Sequence, residues 1–304
     1  MLVACSGGAD SAALVLALAD RRPAVAHVLH DLRPRAQAEA DRDATRALAE
    51  RFGLRFVEAE VCVAGLPGNL EALARRARYE ALARLAREVG VGHVLTGHHA
   101  DDQLETLLLR LCRGAGVNGL RGIAPRRMFE GIQIIRPMLG LRRAECEAFC
   151  ARCGFAWRHD QTNDDLSFTR AAIRHRVLPV LTQIDPRALG NSERVAEHMR
   201  QAARHLRRQA RAVIETAQAS ESCLRWNRAA LSDVDDWVLG EALRLASARL
   251  GGARGADRRG SRPVLACIRS IRRPSGEVRM IEWGRLRVVI TRDEVRMEGG
   301  GDVE

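Results

Sequence analysis

The sequence predicts an α/β protein: a doubly wound, mostly parallel five-stranded sheet, followed by a helical linker and a small α+β domain. Three observations carry this prediction. Five short apolar runs alternate with helical periods, the pattern of a parallel sheet built from crossovers. Glycines stand just past expected helix ends, at Gly53 and Gly90. The 304 residues are 46% hydrophobic, enough for one large or two modest cores. The strands are expected at residues 2–5, 24–30, 55–61, 92–96 and 132–136. Helices are expected at about 9–20, 37–52, 69–89, 99–113 and 141–153. Composition changes at Pro186, giving three segments: 1–185, 186–216 and 217–304.

Ligands of doubly wound sheets bind at the carboxyl ends of strands. Ser6-Gly7-Gly8-Ala9-Asp10-Ser11 follows the first strand and opens the first helix. Backbone N–H groups at such a turn form a cradle for phosphate. Ser6 and Ser11 can donate to phosphate oxygens, and Asp10 can hold a magnesium ion. A plain glycine turn is the alternative for the hexapeptide alone. A Walker loop is excluded because its Gly-Lys-[Ser/Thr] ending is missing, and no G-x-G-x-x-G occurs.

Charge narrows the partner. The net charge is +11 and the isoelectric point is near 10.5, which fits a polyanion. All 49 basic residues are arginine. No lysine nucleophile or Schiff base is available, so a phosphate clamp must be backbone or arginine. No apolar stretch is long enough to span a bilayer. Eight cysteines without secretory context point to reduced thiols.

Other stretches converge on the same sheet edge. His27, His30 and Asp31 end the second strand. Asn69 to Ala86 carries Arg75, Arg76, Arg78 and Tyr79, either a solvated basic face or an arginine set near phosphate. After the fourth strand, Gly97 precedes His98-His99-Ala100-Asp101-Asp102-Gln103-Leu104-Glu105-Thr106. His98, Asp102, Glu105 and Thr106 share one helical face. A zinc reading is natural for histidines and carboxylates, but the H-E-x-x-H pattern is absent, and the face is better read as holding magnesium and a cationic substrate. An Arg/Gly-rich exit with Arg110 and Arg113 follows. Cys146, Cys150 and Cys153 have the spacing of an iron–sulfur site, but also of one packed helical face. Residues 194–213 read as a long basic amphipathic helix, and residues 278–290 as a β-hairpin. The last residues, 299–304, are expected to be disordered.

Ser-Gly-Gly-x-Asp-Ser after an amino-terminal strand resembles the PP-loop of the ATP-pyrophosphatases, a Rossmann-like fold that cleaves ATP between its α and β phosphates. Residues 96–106 followed by Arg113-Gly114-Ala115-Gly116 are similar to the signature of the tRNA(Ile)-lysidine synthases. The similarity continues through Arg136-Pro137-Met138-Leu139, Asp160 to Asp164 and Arg170 to Pro179. It covers residues 2 to about 180. Family members usually carry a leading helix and a longer first strand, whereas the first strand here begins at residue 2, and the family has Arg-Asn where Arg170-Ala171 stands.

The resemblance implies a ligase that joins free L-lysine to C2 of the wobble cytidine, position 34, in tRNA(Ile) with a CAU anticodon. ATP and Mg2+ would be required. It implies Asp10, Asp102 and Glu105 as catalytic residues. ATP would lie against Ser6, Gly7, Gly8, Ala9, Asp10, Ser11, His30, Gly97 and His98. Asp102 and Glu105 would bind lysine, and Asp10 and Asp102 the magnesium. Arg76, Arg110, Arg113, Arg170 and Arg174 would hold phosphates or tRNA, with a tRNA contact also expected from residues 217–304. A cytoplasmic protein is expected, with no membrane partner, and a homodimer is allowed. A PP-loop tRNA thiolase with an iron–sulfur cluster and a catalytically silent RNA-binding PP-loop protein are the alternatives.

Overall fold

The computed structural model describes residues 1–32, 34–158, 169–251, 261–273 and 277–299. The stretch 160–164 and residues 300–304 singled out above lie outside them. The chain divides into two compact units, Met1–Met199 and Arg200–Glu304.

The first unit follows a β/α alternation. β1 (Leu2–Ala4) leads to α1 (Ala9–Leu18), and β2 (Ala24–His30) to α2 (Arg35–Arg51). β3 (Phe56–Val61) leads to α3 (Leu70–Glu88), and β4 (His93–Thr96) to α4 (Ala100–Cys112). β5 (Arg126–Phe129), β6 (Ile132–Ile135) and α5 (Arg143–Arg152) complete the sheet unit. Then come α6 (Thr169–Ala172), a π-helical turn (Ile173–Val177), α7 (Leu178–Ile184) and the long α8 (Ala188–Glu215). The division between units falls inside α8.

The sheet order is β3-β2-β1-β4-β6-β5, parallel except for the β5–β6 pair. It therefore has six strands rather than the expected five. β5 escapes sequence reading because Arg126, Arg127 and Met128 are all exposed at the sheet edge and show no apolar alternation. Expected and observed helix bounds agree to within about two residues. Local chemistry explains why: the Asn69 side chain accepts the Ala72 N–H at 3.0 Å and starts α3.

Alternation along the strands builds two cores. Val3, Leu95 and Cys5 pack with α1, α2 and α5 on one face. Leu2, Val94, Ala26 and Ile134 pack with α3 on the other. Cys146 and Cys150 belong to the first core, and Cys153 is half-buried. Burial pushes the Cys146 and Cys150 thiols up to about 12 and 11, aided by nearby carboxylates. They are packed protonated thiols, not presented cluster ligands. Among the described residues no helix is long and apolar enough to cross a membrane.

The second unit, beginning within α8, has an antiparallel sheet ordered β7-β8-β11-β10-β9. Its strands are β7 (Gln218–Ala219), β8 (Cys223–Asn227), β9 (Arg279–Trp283), β10 (Leu286–Ile290) and β11 (Glu294–Gly299). The expected hairpin is β9–β10, closed by Gly284-Arg285. Gly299, expected in the disordered end, closes β11. Leu224, Val288, Val295 and Met297 face α10 (Asp236–Arg249) and α11 (Ser261–Arg272) in one core. Arg228, at the start of α9 (Arg228–Ser232), is 6% exposed. It donates to the carbonyls of Ser270 at 2.8 Å, Ile271 at 3.1 Å, Thr291 at 2.8 Å, and to that of Arg273. Arg228→Ala strips donors from buried carbonyls and should lower stability by about 3 kcal/mol. Urea unfolding checks this, with a lower midpoint at unchanged slope.

Candidate active site

β1 and β4 are adjacent, and strand order reverses between them, so their carboxyl ends form the crevice of the fold. The two segments that leave them are pressed together. A Cβ on Gly97 would lie 2.9 Å from the Asp10 carbonyl carbon and oxygen, so only glycine lets β4 exit against the first turn of α1. Gly97, expected against the nucleotide, has a packing role here: it admits the loop.

The Ser6–Ser11 loop is braced internally. Gly7 adopts φ +86°, and a Cβ there would meet the Asp41 carbonyl oxygen at 3.2 Å. The Ser11 hydroxyl donates to Gly8 O at 3.1 Å and accepts the Ser6 N–H at 3.0 Å. The Ser6 hydroxyl lies 3.2 Å from it. Gly8 caps α1 with no side-chain partner, leaving the helix N-terminus facing the crevice. Buried His27 supports the strand beneath, its Nδ1 2.9 Å from Cys5 O. Burial lowers its pKa, so the neutral ring donates there. Arg158 N donates to Gly7 O at 3.2 Å, and its guanidinium pairs with Asp41 at 2.7 Å. Asp41 and Arg158 were not among the expected site residues, and His27 was expected only as part of the second strand's end.

α4 starts with four acidic or imidazole groups in contact. The His99 N–H donates to Asp102 Oδ2 at 3.1 Å, capping the helix. His99 is 1% exposed. Its Nε2 lies 3.4 Å from Asp10 Oδ2 and 3.5 Å from Asp102 Oδ2, and its Nδ1 lies 3.4 Å from Asp101 Oδ2. Burial opposes the charge, but Asp10, Asp101 and Asp102 outweigh it and raise the pKa to about 10. In this imidazolium Nδ1–H faces Asp101 and cannot also accept the Asp102 N–H. His98, the preceding residue, behaves in the opposite way. Burial pushes it down to about 3, Arg136, Arg75 and Arg78 add to this, and Asp102 opposes it. Its neutral ring contacts Thr96 Oγ1 at 2.9 Å.

Glu105 is fully buried. Arg170 Nε donates to Oε2 at 2.6 Å, and Arg174 donates to Oε1 at 2.6 Å and Oε2 at 3.1 Å. Arg170 also donates to Asp102 Oδ1 at 2.7 Å. Desolvation pulls Asp102 upward, yet His99 and Arg170 hold it down at about 2. Guanidinium groups and the His99 N–H engage the oxygens of Asp102 and Glu105, the two residues expected to bind lysine. Arg170 and Arg174 are brought to the crevice as expected, but grip carboxylates.

Arg76 points outward, pairing with Glu80 at 2.7 Å. Arg75 and Arg78 instead lie over the Tyr79 ring, at 5.5 and 5.9 Å. Tyr79 OH accepts from buried Arg136 at 3.1 Å. Arg110 tethers the glycine-rich exit, donating to Gly119 O at 2.6 Å and Gly122 O at 3.0 Å. Arg113 is exposed at the end of α4, and half-buried His30 sits at the carboxyl end of β2. Beside the start of α4 an open recess of about 420 Å³ is lined by Arg142, Glu145, Arg187, Asn191 and Arg194.

A magnesium ion fits one part of this arrangement. Asp10 Oδ1 is buried without a hydrogen-bond partner among the described residues, directly at the α1 N-terminus. Magnesium is commonly held by one or two carboxylates plus substrate phosphates, and Asp10 Oδ1 offers such an oxygen.

A strand–cradle–helix loop at a topological switch point, beside a buried acidic helix start, defines an ATP-binding α/β domain. The PP-loop domain family matches residues 1–181. A tRNA(Ile)-lysidine synthase of Bordetella pertussis is 42% identical over 236 residues, which is 74% of this chain and 70% of that one. Those of Bordetella bronchiseptica and Thermus thermophilus are each 43% identical, covering 67% and 65% of this chain but 60% and 38% of theirs. The match thus spans about 60% of the Bordetella bronchiseptica relative. The chain belongs to the PP-loop family and, within it, to the tRNA(Ile)-lysidine synthase family. The U34-tRNA thiolase NcsA from Methanococcus maripaludis, solved with its [4Fe-4S] cluster, has the same fold at TM-score 0.55 and 14% identity, covering 65% of this chain and 71% of that one.

Two measurements test this site. His99 has a folded pKa of about 10, above the ordinary 6.5. Its stabilisation is therefore complete below about 6.5 and lost as pH rises through 10. The melting-temperature gap between the protein and His99→Asn should shrink over that window. Glu105→Gln leaves two guanidinium groups facing an amide in a buried site, and should cost about 3 kcal/mol in chemical denaturation.

Proposed function

We propose that the protein joins free L-lysine to C2 of the wobble cytidine of tRNA(Ile) with a CAU anticodon, using ATP and releasing AMP and pyrophosphate. The observation that carries this reading is the conjunction of the phosphate cradle with the buried His99–Asp102–Glu105 helix start, in a chain 42% identical to a curated lysidine synthase over most of its length.

The chemistry has two steps. The cytosine C2 oxygen attacks the α-phosphate of ATP, and pyrophosphate leaves. The lysine ε-amine then attacks C2 and expels AMP. The N–H groups of the Ser6–Ser11 loop and the α1 N-terminus would hold the phosphates. Magnesium, held by Asp10, would neutralise charge on the phosphates. Arg170 and Arg174 stand where a guanidinium can move from carboxylate to phosphate. As they do so, Asp102 and Glu105 become acceptors for the lysine ammonium, and Glu105 can take its proton. Neutral His98 at the β4 exit would line the nucleotide. The base must be unstacked to reach the crevice.

Arginine dominates the expected RNA contacts. Arg142, Arg187 and Arg194 surround the recess beside α4, and α8 continues the basic surface. Such contacts position a nucleic acid through its phosphates. We assign the second unit, with α8, to the tRNA, and the protein to the cytoplasm.

Incubation with tRNA(Ile), ATP and labelled lysine tests the reading. Label should pass to the tRNA only when ATP is present. Asp10→Asn should lower kcat/KM about 100-fold or more while the protein stays folded. A folded protein that transfers no label overturns the reading.

A further inference from the structure

We propose that His99 is a positioning residue: it grips one oxygen of Asp10 and so aims the other at the cation that accompanies the nucleotide. The proposal rests on nucleotide binding by the loop, not on which base or amine reacts.

The geometry assigns the two Asp10 oxygens different fates. Oδ2 lies 3.4 Å from His99 Nε2, whereas Oδ1 is buried with no hydrogen-bond partner among the described residues. An unpaired buried carboxylate oxygen is costly unless something else completes it. The neighbouring carboxylates are already engaged: Arg170 and Arg174 hold Asp102 and Glu105, and Asp101 Oδ2 accepts the Arg143 N–H at 2.9 Å. Among the described residues there is no cluster of three metal-ligating side chains. A cation here would be held by Asp10 together with phosphate, not by a protein cage.

His99 is well placed to fix this arrangement. It is held by main-chain capping at the start of α4, it is 1% exposed, and its ring bridges α4 to the first turn of α1. Gly97 brings those two segments within contact distance. An Asp10 side chain without this grip is free to rotate toward the α1 N-terminus or solvent.

Two conservative variants separate positioning from helix capping. A glutamine amide nitrogen falls near the place of Nε2, so His99→Gln can still reach Asp10. An asparagine amide falls near Nδ1, so His99→Asn can cap α4 but cannot reach Asp10. The probe is manganese(II) with α,β-methylene-ATP, which cannot be cleaved at the reacting bond. Affinity and the electron paramagnetic resonance spectrum of the bound ion are read without tRNA or lysine, well below each variant's melting temperature. His99→Asn should weaken manganese–nucleotide binding about tenfold and shift the bound-ion spectrum toward the free complex, with His99→Gln close to the unchanged protein. Equal binding by His99→Asn and the unchanged protein, or binding by His99→Gln no better than by His99→Asn, overturns the proposal. Because neither tRNA nor lysine is present, failure here is distinct from failure of lysine transfer.

Discussion

Burying carboxylates is the constraint that organises the catalytic half of this protein. Four of them gather where α4 begins: Asp102 and Glu105 are buried, and Asp10 and Asp101 are half-buried. Each must meet a cation or a main-chain N–H, or lose its charge. The chain has no lysine, so the compensating groups are guanidinium and imidazolium. That demand reaches far along the sequence. It draws Arg170 and Arg174, some 65 to 69 residues away, onto Glu105. It keeps His99 charged while its neighbour His98 stays neutral.

The β1–β4 reversal supplies the place, and Gly97 the proximity. Neither the loop nor the helix start would form a site alone. The loop offers N–H groups and hydroxyls but no cation; the helix start offers charge but no anion cradle. Their contact through His99 and Asp10 joins the two into one crevice. The arginines that bridge Asp102 and Glu105 supply the counter-charge that their burial demands.

Much of this was legible in the sequence, for local reasons. The loop reads clearly because glycines and serines interrupt two apolar runs, and β1 and β4 read clearly because apolar residues alternate onto two cores. The face of α4 follows from helical spacing. Partnership across the chain was not legible. Nothing in the spacing says that Arg170 meets Glu105, so both were read as ligand-binding groups rather than as partners. On α3 spacing alone did not say that Arg75 and Arg78 would lie over the Tyr79 ring while Arg76 pairs with Glu80. β5 is an exposed edge strand with no apolar period. In the last third, β8 and β11 pair over long separations, which short-range patterns do not reveal.

The phase of α4 has a consequence for how this protein can change over generations. His99, Asp102 and Glu105 address different neighbours from one helix: α1, Arg170, and the Arg170–Arg174 pair. Each residue of an α-helix turns the next by about 100°. A single insertion or deletion between His99 and Glu105 would therefore swing the buried carboxylate away from both arginines while leaving Asp10 in place. The interval should be fixed in length even where individual side chains vary, whereas the loop after α4, tethered mainly through carbonyls to Arg110, is free to lengthen.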